Sequence, residues 1–123
     1  MAEHRIADER RAAAQEITLV RWLLEHGTPP AAVHLSNLDD LRVVSRCACG
    51  CASVDFVHVP GAGLEILSDY RWQDEHGHLF GVFLFAKSGR LAGLELYSID
   101  GLATPTSLPD TGVLEPAGSG PAD

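Results

Sequence analysis

Leu41-Arg42-Val43-Val44-Ser45-Arg46-Cys47-Ala48-Cys49-Gly50-Cys51-Ala52-Ser53-Val54-Asp55-Phe56-Val57-His58-Val59 is the stretch in which the hydrophobic period becomes two. Leu41, Val43, Ser45 and Cys47 fall on one side, and Arg42, Val44, Arg46 and Ala48 on the other, which predicts a strand. Ser53 to Val59 is rich in β-branched residues and predicts a second strand. Ala48-Cys49-Gly50 then reads as a three-residue hairpin loop, whose third position favours the left-handed backbone that glycine adopts without steric cost. This register would oppose Cys47 to Cys51 on one face and leave Cys49 at the loop tip.

Downstream, Leu64, Ile66, Tyr70 and Trp72 alternate with Glu65, Asp69 and Arg71, as in a half-exposed strand. Gln73 to Gly77 is a polar turn. Leu79 to Ala86 is apolar on both sides, as expected of a central strand covered twice. Lys87-Ser88-Gly89 closes a hairpin into a last strand, Arg90 to Ile99, which ends at Asp100-Gly101. Upstream, Ala13, Ile17, Val20 and Leu24 recur at helical spacing, with Leu23 and Ile6 widening the stripe, and predict one helix over residues 3–26. Gly27 is its expected left-handed cap. Thr28-Pro29-Pro30 starts a short second helix to about Leu38, with Thr28 as N-cap. Helices followed by strands give an α+β fold: an N-terminal helix plus a short second helix, packed on an antiparallel meander of four or five strands. The domain is expected to span residues 1–103. Residues 104–123, with Pro105, Pro109, Pro116 and Pro121, read as an extended tail that Leu108, Val113 and Leu114 dock locally.

A chain of 123 residues is one domain, able to bury roughly two-thirds of its unfolded surface. Hydrophobic residues at 46% and charged residues at 21% place it among globular chains. Seventeen acids against nine bases, a net charge of −8, disfavour a nucleic-acid partner. The longest apolar run, Leu79 to Ala86, is far short of the ~18 residues that a membrane helix requires. The first residues carry both charge signs and no apolar signal core, so a cytoplasmic location with reduced thiols is expected. The acidic excess concentrates in residues 91–123, where Glu95, Asp100, Asp110, Glu115 and Asp123 face no lysine or arginine.

All three cysteines lie within residues 47–51 and cannot staple distant segments. Thiolates at a hairpin tip can converge on a soft ion such as zinc or copper(I). Zinc prefers four ligands; His58, on the adjoining strand, is the expected fourth beside Cys47, Cys49 and Cys51, with His34, His76 and His78 as further candidates. The competing reading makes Cys47 and Cys51 small buried hydrophobes and Cys49 a surface thiol. A nucleophilic thiol needs a base within reach, and only His58 opposite Cys51 offers one. His76-Gly77-His78 beside Asp74 and Glu75 fits a solvated turn. Pro60-Gly61-Ala62-Gly63 lacks the lysine and helix of a phosphate loop. Tyr70, Arg71 and Trp72 could stack a ligand, but in an acidic chain they read as core edge or partner surface.

With Arg46-Cys47-x-Cys49-Gly50-Cys51 and Leu94-Glu95-Leu96-Tyr97-Ser98-Ile99-Asp100-Gly101, the chain resembles a group of small bacterial proteins that carry both strands, over about residues 41–101. The resemblance implies no activity. The expected function is a non-enzymatic protein-interaction module for a basic protein partner, antitoxin-like or immunity-like by analogy alone. The alternative is a thiolate metal-binding or thiol-redox domain.

Overall fold

The first helix starts later than its stripe suggests, because a strand precedes it. In the computed structural model, which describes residues 5–61 and 63–117, β1 spans Arg5–Arg11 and α1 spans Ala14–Glu25. A 3₁₀ segment covers Pro29–Asp40, and then come β2 (Arg42–Cys47), β3 (Val54–Asp55), β4 (Leu64–Gln73), β5 (Leu79–Lys87) and β6 (Arg90–Ser98). A short 3₁₀ turn at Thr111–Val113 leads into β7 (Glu115–Pro116). The α+β class holds. The single helix over 3–26 does not, and the reason lies in its pattern. Before Ala13 its apolar stripe has only Ile6, whereas β1 is otherwise mostly charged and gains more by pairing its backbone with the open edge of β2.

The junction is held by one carboxylate. Glu16 accepts the Ala13 N–H at 2.8 Å, the half of a capping box that does not need a side-chain oxygen on the N-cap residue, and takes Arg10 of β1 in a two-pronged pair at 2.8 and 2.9 Å. At the other end, Gly27 does not adopt the left-handed conformation; its backbone φ is not positive. It is a close-approach glycine: a Cβ there would strike the Leu67 carbonyl, which accepts the Thr28 N–H at 2.8 Å.

The sheet has seven antiparallel strands among the described residues, in the order β1-β2-β3-β6-β5-β4-β7. It is therefore larger than the expected meander and not a simple one, since β3 pairs with β6 rather than β4. Two meanders, β1-β2-β3 and β4-β5-β6, join through that pair. The intervening residues 56–63 can reach roughly 26 Å, ample for the three interstrand steps of about 14 Å in all. The expected strand 53–59 shrinks to Val54–Asp55, extended by one bond from Phe56 N–H to the Ala92 carbonyl.

Strand alternation sorts the sheet into two unlike faces. Val54, Trp72, Phe80, Val82, Leu84, Leu94 and Leu96 are buried in one core with Leu19, Val20, Leu23 and Leu24 of α1. Each such Leu contributes about 1.5–3 kcal/mol by leaving water. Tyr70 belongs to this side as well: its ring meets Trp22 edge-on at 4.8 Å and its hydroxyl donates to the His26 carbonyl. The sequence trio at 70–72 is thus split, Tyr70 and Trp72 at the core edge and Arg71 facing Glu115 at 3.9 Å.

The opposite face carries Phe83, Phe85, Glu95 and Tyr97, and no helix covers it among the described residues. Here Gly81 pairs with Tyr97 and Gly93 with Phe85 across neighbouring strands. A Cβ at Gly93 would lie 2.5 Å from the Phe85 ring, and one at Gly81 would run into the Tyr97 ring. Both rings therefore lie down along the sheet over glycine. The proline-rich segment returns across the domain, with Pro105 and Pro109 buried and β7 paired to β4. Leu108 and Leu114 pack on the core, while Val113 stays half exposed.

Candidate functional site

The cysteine loop leaves β2 at Cys47 and rejoins the sheet at Ser53. The ladder pairs Arg46 with Val54, and the Cys47 N–H donates to the Ser53 carbonyl at 3.3 Å. Cys47 consequently faces Ser53, not Cys51, and the loop runs over residues 48–52. Two side interactions explain the longer loop. The Ala52 N–H is taken by the Pro105 carbonyl at 2.9 Å, and Ser53 Oγ replaces a ladder bond by accepting the Leu96 N–H at 2.8 Å and donating to the Leu96 carbonyl. Gly50 does take the left-handed backbone, at φ 96°, with open space around it.

Within this loop each of the first two sulfurs receives a backbone amide two residues on. The Cys49 N–H donates to Cys47 Sγ and the Cys51 N–H to Cys49 Sγ, both at 3.4 Å. Cys51 Sγ donates to Ser53 Oγ at 3.3 Å, which ties the loop to the buried serine. Cys47 and Cys49 Sγ are 2.7 Å apart, and all three sulfurs lie within 4.8 Å of one another. A tetrahedral zinc–thiolate site with Zn–S near 2.3 Å has sulfurs about 3.8 Å apart, so Cys47 and Cys49 Sγ would part by about 1 Å to hold an ion. The thiols are free, with Cys49 exposed and the other two half-buried.

Their acidities diverge. Burial, joined by hydrogen bonding with Cys49, pushes the Cys47 thiol up to about 11. The bonds from the Cys47 thiol and the Cys51 amide pull Cys49 below its ordinary value against a small burial effect. Cys49 therefore ionises before Cys47.

The expected fourth ligand sits elsewhere. His58 is exposed on the segment that crosses between β3 and β4, and it lines a cavity of about 500 Å³ with Arg5, Asp55, Phe83, Phe85 and Glu95. Among the described residues the grouped ligand atoms belong to Cys47, Cys49 and Cys51 alone. His34 lines a separate groove beside Leu38 and Leu41. His76 and His78 form the solvated turn expected of them: their N–H groups both donate to Asp74 Oδ1 at 2.9 Å, with Gly77 in the left-handed conformation.

The second motif is structural in most of its residues. Leu94 and Leu96 are core, Tyr97 covers Gly81, and Asp100 closes the turn. Asp100 accepts the Leu79 and Leu102 N–H groups at 3.0 Å each, and these bonds hold its carboxyl below the usual carboxylate range. Glu95 is the exception, since it points into the cavity and pairs with Arg5 at 3.0 Å. Sequence reasoning missed this cavity entirely. Its only legible signal was glycine at alternate positions opposite aromatics, Gly81 with Tyr97 and Gly93 with Phe85, and that opposition depends on register. No helix among the described residues is long and apolar enough to cross a membrane. Comparison with family models, curated proteins and solved structures returned no match.

Proposed function

We propose that this chain is a thiolate metal-binding domain in which Cys47, Cys49 and Cys51 hold one soft ion, zinc or copper(I). The observation that supports it is the convergence of three sulfurs within 4.8 Å on a loop whose amides already point at sulfur. Amide donors stabilise thiolates and fix their lone pairs, the role that surrounding hydrogen bonds play at metal sites generally. Three thiolates satisfy copper(I) in trigonal geometry, whereas zinc takes a fourth ligand from solvent or from another molecule. The test is native against denaturing mass spectrometry of anaerobically prepared protein after loading with zinc or copper(I). One ion per chain is expected, lost in Cys47→Ser and in Cys51→Ser. An apo mass with three free thiols after both loadings overturns the reading.

A second reading, the non-enzymatic interaction module with a basic protein partner, draws on a separate observation. The net charge is −8, and Leu64 and Ile66, 45% and 40% exposed, stand on β4 beside the helix-free face. Binding of that kind weakens with salt. A pull-down from the native host that recovers no specific protein at low or moderate salt refutes it.

A further inference from the structure

We infer that the cavity on the helix-free face is a binding site for a small organic ammonium with an apolar or aromatic body. At about 500 Å³ it has the size of small-molecule sites, roughly 300–1,000 Å³. Its floor is the pair Phe83 and Phe85, with centroids 5.7 Å apart. Gly93 lets the Phe85 ring lie along the strands, so the floor presents aromatic surface where an ordinary side chain would stand. Aromatic faces attract organic cations through the negative ring quadrupole.

The polar end has a fixed sign. Asp55 and Glu95 share one cation, Arg5, at 3.4 and 3.0 Å, which leaves one negative charge in surplus at this end among the described residues, Lys87 being the other cation of the lining. Ser45, fully buried, donates to Asp55 Oδ2 at 2.7 Å and holds that carboxylate in place. Among the described residues Asp55 Oδ1 and Glu95 Oε2 accept no hydrogen bond, and Asp55 Oδ1 lies beside the position that a Gly93 Cβ would take, next to the Phe85 ring. A carboxylate surplus bordering an aromatic floor is complementary to R–NH₃⁺ and repels R–COO⁻.

The far end sets a limit on the ligand. Lys87 lies two residues along β5 from Phe85, the level of Asp55, about 7 Å, and makes no ion pair among the described residues; Arg90 is its cross-strand neighbour. A second cation on the ligand would meet these two, so a monoamine is preferred over a diamine of matching length.

This inference is independent of the thiol loop, and its test leaves the cysteines untouched. The whole chain is titrated with 2-phenylethylammonium, 3-phenylpropionate and 1,5-diaminopentane, and backbone and aromatic NMR shifts are followed. Saturable shifts at Phe83, Phe85 and Gly93 are expected with the monoamine. Binding about tenfold weaker, or none, is expected with the carboxylate, with 1,5-diaminopentane and in Glu95→Gln. Glu95→Gln keeps the shape of the side chain and serves where Gly93→Ala, which displaces Phe85, does not fold. Absence of saturable shifts with the monoamine, equal binding of the carboxylate, or unchanged binding in Glu95→Gln overturns the inference.

Discussion

Replacing Glu16 tests the joint between β1 and α1, the place where the polypeptide changes from strand to helix against its apparent periodicity. The Glu16 side chain is 9% exposed and Arg10 36%, so their two-pronged pair is neither a surface pair nor a sealed one. Exposed pairs contribute about 0.2–1 kcal/mol and breaking buried ones costs about 3–5. Solvent around Arg10 brings the expected cost of losing this pair to about 1–2 kcal/mol. The cap on Ala13 adds about 1 kcal/mol. Glu16→Gln retains an oxygen for the Ala13 N–H and should lose only the pair, about 1–2 kcal/mol, while Glu16→Ala should lose about 2–3. Urea unfolding followed by far-UV circular dichroism measures both, as a lower midpoint at unchanged slope.

The pH dependence supplies an independent check. Burial works against ionisation of Glu16, yet the Arg10 guanidinium and the Ala13 N–H prevail, and the carboxyl is held below its ordinary value near 4.5. A group whose pKa is depressed on folding stabilises the fold above its unfolded pKa, and that contribution disappears as pH falls through the folded value. The wild type should therefore lose stability below about pH 4.5 more steeply than Glu16→Gln, so that the two curves converge in acid. Equal midpoints at pH 7 together with parallel acid limbs would refute the account of this joint.

Ser53→Ala removes the hydroxyl that serves both the N–H and the carbonyl of Leu96 in a fully buried position. A loss of about 1–3 kcal/mol is expected, with faster hydrogen exchange at Leu96; protection equal to wild type there would contradict the assignment. Gly81→Ala drives a methyl into the Tyr97 ring and should cost about 1–3 kcal/mol. In a Tyr97→Ala background that cost should shrink by more than half, and additive effects would show that the ring is not what the glycine accommodates.

What could be read from the chain follows physical range. The apolar stripe from Ala13 to Leu24, the Lys87-Ser88-Gly89 hairpin and the Asp74 turn are short-range effects, decided by neighbours a few residues apart. They appear where expected. The clustering of Cys47, Cys49 and Cys51 was legible too, because two-residue spacings keep the sulfurs close in almost any loop. The expected failures are long-range. Whether residues 5–11 coil or pair depended on the unpaired edge of β2, more than thirty residues away in sequence. The slip that set Cys47 opposite Ser53 depended on Pro105 capturing the Ala52 N–H and on Leu96 engaging Ser53.

The sequence by itself determined the α+β class, the amphipathic helix, the turns and the grouping of three thiols, since each is written in local period and spacing. Tertiary structure decided the strand order, the removal of His58 from the thiols, and the cavity. Asp55, Glu95 and Arg5 are separated by tens of residues and acquire a common role only when β3 pairs with β6. Pairing partners that distant are chosen by the burial of the whole sheet, and no window of the chain contains that sum.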